Sequence, residues 1–357
     1  MTIADTRKAF ARSASAAAQA LLDIYQVWEQ NGNHVYYSKS NYLEEQDDSW
    51  DLTTEQALAA MYGGHGMASP DVVSRAYDIK PPKSILGTST KMSKTDSALP
   101  VLTRVSYLAP ANMLPRTLGI IGEATACPMA KLAGCAAPCL GADDGSGHLA
   151  MPNGSARMAM LGRTMLLLGD PVGFAHLLLL ELRSLRAAAA KKGALPAVRL
   201  DGTSDLGMGQ MIESVLQDMG IVRFDYSKTG RAFRDIYHTT FSAWNDATGI
   251  KAATKMIRRG GRISIVVGTR DIARAMATGR ALRKRHGWEA ATVVDGDRAE
   301  PVEACTRPEI RVLTLKATAS DSFDRSKRSR LVFPVECGGC DPSREEPCHA
   351  CAIAAAR

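Results

Sequence analysis

Three cysteines stand within the stretch CPMAKLAGCAAPCL, at Cys127, Cys135 and Cys139. Thiols clustered like this in a large chain of cytosolic composition read as metal ligands rather than as one disulfide and a leftover. Three thiolates leave one coordination position open, which separates a catalytic metal from a structural one. The expected cofactor on Cys127, Cys135 and Cys139 is a 4Fe–4S cluster, with zinc as the alternative. A distant fourth ligand such as Cys305 or His148 would make the same site structural. A second group closes the chain. The run CGGCDPSREEPCHAC pairs Cys337 with Cys340 and Cys348 with Cys351 as two C-x2-C knuckles. Each knuckle brings two sulfurs to one side of an ion, so the four make a site for zinc or an iron–sulfur cluster. His349 could replace one thiol.

The other candidate groups follow short apolar runs. Asp201 and Asp205 come after PAVRL, Asp225 and Lys228 lie at the end of IVRF, and His238 lies in IYHTTFS. Asp295 follows ATVV, and Lys316 lies in VLTLK. Each alone reads as a helix cap or turn. Repeated at successive strand ends, they predict a shared polar mouth, because parallel α/β folds gather active residues at the C-terminal ends of their strands. Asp201 and Asp205 would accept hydrogen bonds from a base or sugar, and Lys228 or His238 would move a proton.

Apolar runs alternating with helical segments predict the elements that hold these groups. A helix opens the chain over residues 1–31, and a long one runs from Ser155 to Lys192 with a break at Gly169, Asp170 and Pro171. Strands alternating with helices from about residue 115 predict parallel βα units. The expected fold class is α/β, a βα-repeat partial or full barrel over residues 105–330. A mostly helical, irregular region (1–104) precedes it and a cysteine-rich metal-binding tail (331–357) follows.

The chain has 357 residues, 45% of them hydrophobic and 23% charged, enough for a sizeable core. No apolar run reaches the roughly 20 residues needed to cross a bilayer, and the N-terminus, with charges scattered through it and no clean apolar stretch, does not read as a signal peptide. The expected location is the cytoplasm, and no membrane partner is expected. A formal charge of +7 is concentrated in one window. Residues 231–290 hold 13 Lys and Arg against 4 Asp and Glu. Within it, Arg258, Arg259, Arg262, Lys284 and Arg285 are candidates for contact with a nucleic acid or nucleotide. The alternative is the solvated faces of two surface helices.

With these residues in view, the region from about 105 to 351 resembles the gene product 88 family of bacteriophages and prophages. The similar stretches are YLAPANMLP (107–115), CPMAKLAGCAAPCL, FAHLLLLELRSL, AVRLDGTSD, VRFDYSK, HTTFS, VVDGDR and the terminal CHAC. A phage origin implies the host cytoplasm. The layout also resembles, distantly, the radical S-adenosylmethionine enzymes, in which three cysteines hold a 4Fe–4S cluster and S-adenosylmethionine chelates the fourth iron. This chain departs from their C-x3-C-x2-C loop, and DGTSD stands where a GGE-type motif would follow the second strand.

Two kinds of function follow. One is an iron–sulfur enzyme that modifies a nucleobase in a nucleotide or nucleic acid. The other is a zinc-stabilised nucleic-acid-binding protein without catalysis. A transglycosylase-like barrel, in which an aspartate attacks a nucleoside and zinc only holds the fold, is a further enzymatic reading.

Overall fold

The computed structural model describes residues 3–30, 82–110, 126–130, 132–135, 139, 155–315, 327 and 329–335. Lys316, His148 and the four C-terminal cysteines, with the metal-binding tail expected there, lie outside these residues. The chain divides into two compact units. The first comprises Met1–Pro128, Gly141–Asp143 and Leu149–Asp225, and the second Met129–Leu140, Asp144–His148 and Tyr226–Arg357. The division falls inside the expected 105–330 core.

In the first unit, helix α1 (Ile3–Gln30) buries Phe10, Ala14, Ala17, Ala18 and Leu21. Their spacing puts them on one stripe of the helix, and the stripe packs chiefly on a later helix, α4 (Pro171–Lys191). Between them in the chain come α2 (Thr90–Ala98) and α3 (Ser155–Gly169). The break between α3 and α4 follows from two residues. Pro171 takes the first helical position, and Asp170 accepts a hydrogen bond from the Gly173 N–H at 2.8 Å. Strands β1 (Leu86–Gly87), β2 (Val101–Ser106), β3 (Leu195–Arg199) and β4 (Val222–Arg223) form a sheet in that order, with β2, β3 and β4 parallel and β1 antiparallel at the edge. Two short helices, α5 (Met208–Met211) and α6 (Glu213–Asp218), lie between β3 and β4.

The second unit is built on β5 (Asp225–Ser227), β6 (Thr239–Ser242), β7 (Arg262–Val267), β8 (Thr292–Asp295), β9 (Glu309–Thr314) and β10 (Val332–Phe333). The strand order is β5-β6-β7-β9-β8, with β10 also paired to β7. Neighbours β6–β7, β7–β9, β8–β9 and β7–β10 are parallel. Ile263, Ile265 and Val267 of β7 share an apolar core with Ile310 and Val312 of β9. Helices α7 (Ala247–Arg258) and α8 (Ile272–Arg285) supply Ala253, Met256, Ile257, Ala275 and Leu282 to that core. Both therefore cover the same face of the sheet, and the Trp288 indole N–H, just beyond α8, bonds Thr254 Oγ1 of α7 at 2.9 Å.

The expected α/β class with parallel strands is what the protein has. Neither sheet closes into a barrel among the described residues. The run IVRFDYS explains why periodicity pointed to one array. Val222 and Arg223 pair with β3, whereas Asp225–Ser227 forms β5 of the second sheet. One apolar run thus serves two sheets.

Candidate functional site

In the first unit, the loop after β3 is organised by Asp201, whose residue is 1% exposed. Its carboxylate accepts from Ser204 Oγ (2.7 Å), Leu206 N–H (2.9 Å) and Gly207 N–H (2.8 Å). Gly207 has a φ of 85°, in the left-handed region that favours glycine. Gly202 N–H bonds the Ser106 carbonyl at the end of β2, and a Cβ at Gly202 would come within 2.6 Å of that oxygen. Only glycine lets the loop lie this close to β2. Asp201 is thereby a loop-holding group, its lone pairs directed at its own loop rather than outward. Thr203 Oγ1 bonds the Leu108 carbonyl.

Cys127 is anchored to this loop. Its thiol donates to the Thr203 carbonyl at 3.0 Å, while Asp205 N–H bonds the Ala126 carbonyl. Cys127 thus lies beside the loop that follows the parallel strand β3. Asp205 is half-buried. Asp225, 2% exposed, faces Arg199 Nε at 3.6 Å, and Arg199 also bonds the Gly202 carbonyl. A cavity of ≈ 10 Å³ lies where β2 and β3 end, lined by Ser106 and Asp201 among apolar side chains that include Phe174 and Leu178. Among the described residues the buried Ser106 hydroxyl has no protein partner, and the cavity has room for one water to satisfy it.

Sequence reasoning passed over a buried pair in this unit. Glu181 accepts from the Ile85 and Leu86 N–H groups, and Arg163 donates to the Ser84 carbonyl at 2.7 Å. Burial lowers the Arg163 pKa, and Glu181 and Tyr107 pull it back up. The signal was one charge inside each apolar helix run, MLGRTMLLLG and LLLLEL.

In the second unit, Lys228 Nζ donates to Ser242 Oγ at 2.9 Å, at the C-terminal end of β6. Asp295 ends β8 and accepts from Asp297 N–H at 2.8 Å, while the Asp297 carboxylate bonds Thr314 at the end of β9. Asp295 thus belongs to a turn joining two strand ends. Three strand intervals separate β6 from β8, about 14 Å at the usual interstrand spacing. Lys228 and Asp295 therefore do not face one ligand atom. His238 precedes β6, at the edge opposite Ser242. The six proposed catalytic groups are divided between the units: Asp201, Asp205 and Asp225 in the first, and Lys228, His238 and Asp295 in the second.

The cysteine stretch is divided in the same way. Cys135 belongs to the second unit, half-buried against its apolar core, and Cys139 belongs to that unit as well. Among the described residues no group of three or more His, Cys, Asp or Glu is arranged to hold a metal ion. The placement of Cys127, Cys135 and Cys139 thus does not by itself make a cluster site, and no chemical step is derived through one. Cys305 is buried, and that burial raises its thiol pKa.

The basic residues sort by burial. Arg262 is 5% exposed and committed inside the fold, 3.3 Å from Glu309 and bonded to the Pro301 and Glu303 carbonyls. This removes it from any outward-facing surface. Its neighbour Arg311 also pairs with Glu309. Burial opposes the charge on Arg311, but Tyr226, Glu309 and Glu300 outweigh it and raise its pKa. Arg258, Arg259, Lys284 and Arg285 are exposed, as are Lys251, Lys255, Arg274 and Arg280. Helices α7 and α8 contain no Asp or Glu between their N-caps, Asp246 and Asp271, and their ends. Cations in a last helical turn offset the helix dipole, which accounts for Lys255, Arg258, Arg283, Lys284 and Arg285. It does not account for Lys251, Arg274 or Arg280.

These features define an α/β protein of two parallel-sheet units, one of which carries a basic two-helix face. The family model described as gene product 88 matches residues 83–342, and the chain belongs to that family. The match begins upstream of the expected residue 105 and ends before Cys348 and Cys351. No curated protein and no solved structure matches the chain. No described helix is long and apolar enough to cross a membrane.

Proposed function

We propose that this phage-family protein binds nucleic acid through the exposed face of α7 and α8. The observation that carries this reading is the cation set on two neighbouring helices without an intervening carboxylate. Lys251, Lys255 and Arg258 follow one another at spacings of four and three residues, and Arg280 and Lys284 at four, so each set forms a stripe. Ile272 is the one large apolar side chain exposed on these helices. A helix that lies in a lipid interface needs an apolar face to insert, so a phosphate backbone fits this surface better than a bilayer. Affinity for a labelled duplex should fall linearly with salt on logarithmic axes, by about 100- to 1000-fold between roughly 50 and 200 mM if about five phosphates are neutralised. A chain that binds neither a duplex nor a single-stranded probe at the lower salt would refute the reading.

A second reading, an iron–sulfur enzyme acting on that nucleic acid, is favoured by the anchoring of Cys127 to the loop that follows the parallel strand β3. Cys127, Cys135 and Cys139 would hold the cluster, which would supply redox chemistry. The C-terminal cysteines would hold a second metal, iron or zinc. S-adenosylmethionine is its further proposed ligand. Anaerobic purification followed by metal analysis and visible absorbance tests this. A brown protein that loses iron when Cys127→Ala is made supports it. A colourless protein carrying only zinc rejects it and leaves the structural-zinc form of the binding reading.

A further inference from the structure

We propose that Tyr237 is a stacking platform for a base of an unpaired strand, a role that rests on the nucleic-acid reading above. Tyr237 is 58% exposed, and no other described aromatic residue is classed as exposed. Single exposed apolar side chains are common, so the argument lies in how this one is held and what surrounds it.

The backbone beneath the ring is tied down on both sides. The Tyr237 carbonyl accepts from Cys305 N–H at 2.8 Å. Asp235 accepts from His238 N–H at 3.2 Å and from Thr239 Oγ1 at 2.9 Å. Ile236 packs against Gly261, and the Cys305 thiol reaches the Gly260 carbonyl at 3.6 Å and the Arg307 carbonyl at 3.1 Å. Three loops thus meet at the edge where β6, β7 and β9 begin. A ring on a fixed loop loses little conformational freedom when it binds.

The same three loops carry exposed cations. Arg234 lies three residues before Tyr237, Arg258 and Arg259 directly precede Gly260, and Arg307 lies two residues after Cys305. Of the nearby carboxylates, Asp235 is engaged by Thr239 and Glu309 by Arg262 and Arg311, while Glu303 is exposed. The α7 stripe of Lys251, Lys255 and Arg258 leads to this edge. Phosphates following the stripe would arrive at Tyr237 with a base in reach. In a duplex the base faces are already stacked, so the ring favours a single strand.

The test measures fluorescence anisotropy of the full chain with an oligothymidylate of about 20 nucleotides and a duplex of similar length, at one salt concentration. Tyr237→Ala should weaken the single strand by about 5- to 50-fold and leave the duplex unchanged, and Tyr237→Trp should retain single-strand affinity. Equal affinities of the wild type and Tyr237→Ala for the single strand would overturn the assignment of Tyr237 alone. So would an equal loss on both probes. If the wild type binds neither probe, the nucleic-acid reading fails with it. Stronger binding to vesicles of anionic phospholipid than to either probe would overturn the proposal in favour of a lipid surface.

Discussion

A quadruple variant with Lys251→Glu, Lys255→Glu, Arg280→Glu and Lys284→Glu is expected to lose duplex affinity by at least about 100-fold at roughly 100 mM salt. Each lost phosphate contact should also flatten the logarithmic salt dependence by about 0.9. The four side chains are exposed, and surface substitutions away from special features usually change stability by less than about 0.5 kcal/mol each. Lys255 is the exception to watch, because its ammonium lies 5.3 Å from the Phe233 ring centre. The thermal midpoint should therefore drop only modestly while binding collapses. A variant that still binds like the wild type would show that the helices carry their charge for solubility alone. Arg262→Gln provides the contrast. It should leave binding unaffected but destabilise the fold, since it removes one of the two arginines paired with Glu309 and two carbonyl contacts inside the second unit.

Asp201→Ala is expected to destabilise the protein by about 3–5 kcal/mol, read as a shift of the denaturant midpoint of the full chain. The substitution leaves the N–H groups of Leu206 and Gly207 and the Ser204 hydroxyl without their acceptor, in a place where the parent residue is 1% exposed. Hydrogen bonds to a charged group are worth about 1.5–3 kcal/mol each and do not add fully. Asp201→Asn should cost less. It keeps one acceptor oxygen but turns an amide N–H toward one of the present donors. An Asp201→Ala protein with an unchanged midpoint would return Asp201 to the list of outward-facing acids. Loosening this loop should also release Cys127, because the Thr203 carbonyl that holds its thiol belongs to the same loop.

Much of the chain's local structure was legible from residue order. Asp170 before Pro171 announced the break between two helices, and α7 and α8 lie within two residues of the helical spans 249–259 and 271–286 that the residue order predicts. The second of the strands in PAVRL, RISIVVG and IRVLTL could be read from its β-branched density. IYHTTFS was read too long. Its strand holds only Thr239–Ser242, because Asp235 gathers the preceding turn by bonding Thr239 and His238. That turn carries His238 to the opposite edge from Ser242.

Amino-acid order by itself determined the α/β class, the helices with their caps, the family, and a concentration of positive charge in 231–290. Each of these depends on neighbours within a few residues or on composition. Only the tertiary structure decided how strands were shared between sheets, and so which polar strand ends belong to which sheet. It also decided which charges were spent. Arg262 and Arg258 look alike in a sequence, yet one is buried against Glu309 and the other is exposed at the end of a helix. Burial and partner choice depend on contacts between residues far apart in the chain, and the order of residues does not set these one position at a time.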